Sequence, residues 1–366
     1  VTKEILSTSV MHEMEKERET HLLMRGLYNQ LGDKVEPNVP AALGSLSADA
    51  PRNRLGLAQW LVSPTNPLTA RVAVNRLWQQ VFGEGLVRTM NDFGLQGEQP
   101  THAALLDWLA MDFVQSGWDV KRMMKQIVTS ATYRQSSNFT EDLRSHDPDN
   151  RLLARGPRYR LPAELLRDQA LAASGLLVAK LGGPSVKPYQ PPGLWEAVSY
   201  NGDQTYVADH GEALYRRGLY TFWKRQAPPP EMLTFDGPTR ETCTVRRPRT
   251  NTPLQALLLL NETAFVEASR GLATRMLRAG GSDANKCVEY GFRIVTARTP
   301  DKAEVAVLKK LWKRQLAEYR ANPQAASALL KVGESPADAS LDACELAAWT
   351  MVANVLLNLD EVVTQH

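Results

Sequence analysis

From residue 53 onward, apolar residues recur at three- and four-residue intervals, interrupted by glycine, proline and short polar runs. That spacing turns one face of each segment inward and predicts a mainly α-helical protein, a multi-helical globular bundle. Start and stop signals divide it. A short helix over 53–62 breaks at Ser63-Pro64-Thr65-Asn66-Pro67, and Asn66 caps the next, over 68–82, which stops at Gly83. Thr101 caps 103–116, Asp119 caps 120–133, and Pro162 opens a helix through Leu171. Thr252 and Pro253 open the most apolar stretch, 254–278, which Gly280 and Gly281 end. Leu254, Leu257, Leu258, Phe265, Leu272 and Met276 share one face, with Leu259 and Leu260 behind. A helix apolar nearly all round is expected at the centre of the core, where Asn261 would need hydrogen-bond partners. Helices over 284–296, 301–321 and 341–357 follow, with 322–337 as a loop.

Two regions depart from this rhythm. Residues 8–14 and 20–24 are strand-like and joined by the charged link 15–19, which predicts a small N-terminal β-hairpin. Residues 28–51, with Gly32, Pro37, Pro40, Gly44 and Pro51, read as an extended linker. The domain reading is therefore a β-element and linker over 1–52 and a helical domain over 53–366, with a candidate subdivision at the polar tract 135–150. Within it, 183–250 reads as an irregular arginine- and aromatic-rich insert holding Trp195, Tyr200, Tyr206, Tyr215, Tyr220, Phe222 and Trp223. Alternation over 215–223 predicts one strand, paired with 205–207. A long ordered tract without regular structure is uncommon and is often functional.

Composition narrows the classes. Hydrophobic content of 43% and charged content of 23% over 366 residues fit a globular chain with room for a core. A net charge of +3 gives no basis for nucleic-acid binding. No apolar run reaches the roughly eighteen residues that span a bilayer. The chain opens VTKEILSTS, without an initiator Met or a signal sequence, as expected of the C-terminal piece of a longer protein. Cys243, Cys287 and Cys344 form neither CxxC nor CxxCH, so neither a zinc ribbon nor a c-type haem attachment is expected in this chain. His12 with His21 lacks a third local ligand, and Asp142, His146, Asp147 and Asp149 do not follow a calcium-loop pattern, so no metal site is expected.

The densest chemistry lies in FDGPTRETCTVRRPRTNTPLQALLLLN, 235–261. Arg240, Arg246, Arg247 and Arg249 converge on a helix start, where backbone amides already favour anions. They read either as an anion pocket or as ion pairs with Asp236 and Glu241. Trp223 and Tyr220 are candidate stacking platforms for a sugar. Asp236 and Glu241, five residues apart, are the candidate acid and base of a carbohydrate-active enzyme. GxGxxG, GxxxxGK[ST] and GxSxG are absent, which removes the corresponding phosphate loops and the serine-hydrolase elbow.

NRLGLAQWLVSPTNPLTARVAVNRLWQQVFGEGLVRTMNDFGLQGEQPTHAALLDWLA, 53–110, resembles the planctomycete-specific domain of unknown function 1553. So do KQIVTSATYRQSS, NRLLARGPRYRLPAELLRD, GGPSVKPYQPPGLWE, RETCTVRRPRTNTPLQALLLLN and LLNLDE, in the same order. The resemblance implies the C-terminal part of a large exported protein with an upstream cytochrome c and companion domains as partners. Any c-type haem would then lie upstream, and the setting would be extracytoplasmic. The resemblance supplies no catalytic residues. The expected role is a recognition or scaffold domain for an anionic or glycan ligand, or for the upstream cytochrome. The alternative is a carbohydrate-active enzyme (hydrolase, lyase or cytochrome-coupled oxidoreductase) with its site in 195–250.

Overall fold

The first helices form where their caps dictate. Asn53 accepts from the amides of Leu55 and Gly56 and opens α1 (Arg54–Leu61). The Asn66 carboxamide accepts from the amides of Leu68 and Thr69 at 3.0 and 3.1 Å and opens α2 (Thr69–Phe82), which ends at Gly83 in a positive-φ conformation. α3 (Ala103–Gln115) starts without a side-chain cap, so Thr101 does not serve as one. Asp119 caps α4 (Val120–Thr129), which is one turn shorter than its apolar pattern suggested. The computed structural model describes residues 8–16 and 18–365.

Two hydrophobic cores carry the chain. In the smaller, α2, α3 and α4 bury Val74, Trp78, Leu106, Leu109, Met123 and Ile127, and the rings of Trp78 and Phe82 stack at 4.1 Å. The larger is built by α6 (Ala163–Ser174), α10 (Thr263–Gly280), α11 (Ala284–Thr296), α12 (Lys302–Ala321), α13 (Pro323–Leu330) and α14 (Ala343–Leu357). α10 and α14 form its centre. Ala268, Leu272, Ala273 and Met276 of α10 face Ala347, Val352, Ala353 and Leu356 of α14, and all eight are sealed from solvent. Alanines at this contact let the axes approach, while each fully buried Leu or Met contributes roughly 1.5–3 kcal/mol. Gly291 of α11 has the same purpose, because a Cβ there would sit 2.7 Å from the Met276 sulfur.

Among the described residues, sheet structure is limited to two pairs. β1 (Thr20–Leu23) is antiparallel to β2 (Leu31–Val35), and β3 (Tyr159–Arg160) is antiparallel to β4 (Thr364–Gln365). The fold is thus mainly α with a small N-terminal hairpin, but the hairpin partner is 31–35, inside the expected linker, and not 8–14.

Other boundaries also move. The long apolar helix is two helices, α9 (Pro253–Asn261) and α10, because Glu262 adopts extended backbone and its carboxylate caps the amides of Ala264 and Phe265. α9 lies at the surface: Leu254 and Leu257 are exposed, and Asn261, also exposed, donates to the Leu257 carbonyl. The loop expected over 322–337 contains α13, whose Ala326 is fully buried. The polar tract 135–150 contains α5 (Glu141–His146), and Asp147 is buried, accepting from the amides of Arg151 and Leu152.

The irregular insert has only short helical pieces, among them α7 (Leu194–Val198) and α8 (Pro230–Thr234). Its expected internal strand pair is absent; instead Arg216 bridges to Val178 and Thr221 to Val186. Buried Arg216 donates to the carbonyls of Lys180, Gly182 and Pro184, supplying hydrogen bonds that no sheet provides there. Cys243, Cys287 and Cys344 are all unpaired thiols. Among the described residues no helix is long and apolar enough to cross a membrane.

Candidate functional site

Where the two cores meet, three segments enclose a cavity of about 460 Å³. The first leaves α2 at Gly83. It is set by Asn75, wholly buried, whose carboxamide donates to the Val87 carbonyl and accepts from the Val87 amide, both at 2.9 Å. The second runs 148–160 into β3. Arg155 folds it back by donating to the carbonyls of Asp147 and Pro148 at 2.8 and 2.7 Å. The third is 249–251. The Asp236 carboxylate accepts from the Thr250 amide at 2.7 Å, and Gln255 donates to the Thr250 hydroxyl at 3.0 Å. β4 completes the wall through its ladder with β3.

The cavity gathers six arginines, Arg88, Arg151, Arg155, Arg158, Arg160 and Arg249, against three carboxylates, Glu84, Asp149 and Asp360. Three of these arginines are ion-paired: Arg88 with Asp149 at 3.3 Å, Arg151 with Glu98 at 3.0 Å and Arg158 with Asp360 at 2.9 Å. Arg155 spends its donors on backbone. Like Arg155, Arg160 and Arg249 have no carboxylate within ion-pair distance among the described residues. Arg160 donates to the Asn251 side-chain oxygen, and Arg249 donates to the Gly83 carbonyl at 2.6 Å while lying 4.3 Å above the Tyr159 ring.

Burial pulls the Arg249 guanidinium below its ordinary pKa, and Tyr159 and Glu84 only partly oppose that. Burial likewise pushes the Tyr159 phenol up to about 12, and its hydroxyl donates to the Gln80 carbonyl at 2.6 Å. Glu84 pairs with Arg246 through one oxygen at 2.5 Å, while its other oxygen is buried with no hydrogen-bond partner. A wider cavity, about 710 Å³, lies in the N-terminal element, where Arg54 pairs with Glu13 and Lys34 with Glu19.

The residues singled out in the sequence do not converge on one point. Arg246 pairs with Glu84, and Arg247 with Glu164 at 2.8 Å, so the arginine run is tied to carboxylates far away in sequence and not to Asp236 or Glu241. Burial opposes ionisation of Glu164, yet the Arg247 hydrogen bonds hold its carboxyl below the usual range. Arg240 stacks over Trp223 at 4.4 Å, so that ring face is covered, and the Trp223 indole donates to the Thr239 carbonyl. Tyr220 is covered likewise by Arg216 at 3.7 Å and accepts from the Gly182 amide. Glu241 is exposed, 3.9 Å from Arg225, and shares no partner with Asp236. Asp236 and Arg240 both hold positive φ, 60° and 64°, which marks a tightly constrained turn.

Only the end of the arginine-rich stretch, 249–251, reaches the cavity. The missed residues come from LVRTM and NRLLARGPRYR. Four arginines within ten positions, 151–160, with no acid among them were the available signal.

A family model described as PSD1, protein of unknown function (DUF1553), matches residues 53–312, which include every arginine of the cleft. No curated protein and no solved structure matches the chain.

Proposed function

We propose, for a chain that belongs to the DUF1553 family of proteins of unknown function, that it is a recognition domain seating an anionic ligand in the cleft between its two cores. The observation that carries this reading is the excess of guanidinium over carboxylate around one cavity, with three arginines there, Arg155, Arg160 and Arg249, lacking a carboxylate within ion-pair distance among the described residues. Arg249 is exposed and Arg155 and Arg160 are half-buried, so guanidinium donors that no carboxylate matches are open to an anion from outside. Asp236 then serves to position the wall at Thr250, and Arg246 and Arg247 brace the same wall through Glu84 and Glu164.

The setting belongs to the same proposal. The resemblance to planctomycete exported proteins supports an extracytoplasmic location, an upstream cytochrome c and companion domains as partners, and a polysaccharide as the source of the anion. Calorimetric titration with anionic and neutral oligosaccharides of equal length tests the reading. Binding of the anionic chain alone, weakened as salt is raised and as Arg160→Gln and Arg249→Gln are introduced, is the expected result. Equal binding of the neutral chain, or no binding of either, would contradict it.

A further inference from the structure

We infer that the outer face of α12 is a track for a linear anionic polysaccharide, held by Lys302, Lys309, Lys310 and Lys313. This surface is separate from the cleft, so the two readings stand or fall independently. At about 100° per residue, Lys302, Lys309 and Lys313 fall within about 40° of one another, in a straight row about 16 Å long, and Lys310 stands beside it. Lys302, Lys310 and Lys313 are exposed and Lys309 is half-buried. With half-buried Val305 and exposed Ala306 they line one surface depression. Among the described residues, none of the four lysines has a carboxylate within ion-pair distance. The acids of the helix are already matched, Glu304 to Arg298 at 2.6 Å and Glu318 to Arg314 at 2.9 Å, and the capping Asp301 accepts from the Glu304 amide. Lys309 donates to a neutral oxygen, that of the Asn285 side chain, at 2.8 Å. Beside the row, α11 carries Glu289 against Arg293 at 3.7 Å, so the uncompensated charge is one row wide.

Four unmatched lysines along one helix face attract a partner of repeating negative charge, and their surroundings select its class. Lysine is a hydrated point charge on a flexible stem, so it follows spaced anions without requiring a fixed geometry. A protein partner would need apolar or aromatic anchors at the centre of its contact, where lysine is depleted. Here only Val305 and Ala306 stand between the lysines, and exposed Val307 lies about 140° round the helix from Lys302. A single-stranded nucleic acid would need rings on which its bases stack. Trp312 instead packs against the larger core, stacked on Trp349 at 5.3 Å. A bilayer meets a broad face, whereas this charge is confined to a row flanked by the Glu289–Arg293 pair. A saccharide chain with repeating carboxylates or sulfates requires neither anchor, ring nor breadth, and fits the row.

The test uses a galacturonate decamer. Carbodiimide joins a carboxylate to an amine held against it, and peptide mass spectrometry of the unaltered chain then locates the adducts. Adducts at Lys302, Lys309, Lys310 and Lys313 should exceed those at exposed Lys121, Lys125 and Lys331 at least about fivefold, and fade as salt is raised. In calorimetry the decamer should still bind a chain carrying Arg160→Gln and Arg249→Gln. Adding Lys302→Gln, Lys309→Gln, Lys310→Gln and Lys313→Gln should weaken that binding about tenfold or more. Glutamine is a good helix former and none of the four lysines is buried, so α12 is retained. Adducts spread evenly over the exposed lysines, or a decamer affinity unmoved by the four lysine changes, overturns the track and leaves the cleft reading standing. Binding that needs the lysines but is indifferent to Arg160 and Arg249 supports the track and counts against the cleft. Capture by phosphatidylglycerol vesicles that the lysine changes abolish, with no decamer bound, overturns the polysaccharide as partner in favour of a membrane.

Discussion

Single residues set the cleft's shape and one of the protein's pH responses. Gly83 has φ +85°, and a Cβ there would lie 2.7 Å from the Tyr159 ring and 2.9 Å from the Arg249 guanidinium. Gly83→Ala should therefore cost about 1–2 kcal/mol in urea unfolding and displace Arg249, weakening anion binding as well. Unchanged stability and affinity would show that the turn has room to spare. Glu231 in α8 is a second case. Burial, reinforced by the nearby Glu262 and opposed by its backbone hydrogen bond and Arg167, pushes its carboxyl from 4.5 to about 7. The folded state holds that proton more tightly than the unfolded chain, so the contribution is complete below about pH 4.5 and is lost as pH rises through about 7. Stability should fall by roughly 2–3 kcal/mol from pH 4.5 to 8 through this group, and Glu231→Gln should flatten that slope. Identical pH profiles for the two proteins would refute the assignment.

At the scale of elements, α10 organises the larger core and also anchors the irregular insert. Glu267 and Arg270 are almost wholly buried, 3.6 Å apart. Glu267 accepts from the Tyr215 hydroxyl at 2.9 Å and the Ser335 amide at 2.6 Å, while Arg270 donates to the carbonyls of Leu330, Val332 and Ser335. Glu267→Ala leaves a buried guanidinium without its counter-charge and should cost about 3–5 kcal/mol. A urea midpoint within error of the original would mean that the network is replaceable. Elements whose ends are written locally could be read from sequence: Asn66, Asp119 and Gly83 announce themselves within a few residues. The break at Glu262 could not, because the apolar rhythm runs unbroken across it and the deciding event is one carboxylate turning back to cap α10. Nor could the surface position of α9, since Leu254 and Leu257 follow the same spacing as buried leucines.

For the whole molecule, the two cores are joined where β3 meets β4, where Gln365 donates to the Tyr133 hydroxyl, and where Arg249 reaches Gly83. The arginine run was visible as charge, but its partners Glu84 and Glu164 lie 162 and 83 residues from Arg246 and Arg247. The remaining cleft arginines were unread because each, taken singly, resembles a solvated surface residue. Only the meeting of the two cores turns them into one site. The most direct measurement is hydrogen exchange across the chain with and without a sulfated oligosaccharide. Simultaneous slowing of amides in 83–88, 148–160 and 249–251 is the predicted result, since a ligand between the cores touches all three walls. Slowing confined to one wall, or placed elsewhere on the chain, would contradict a binding site between the cores.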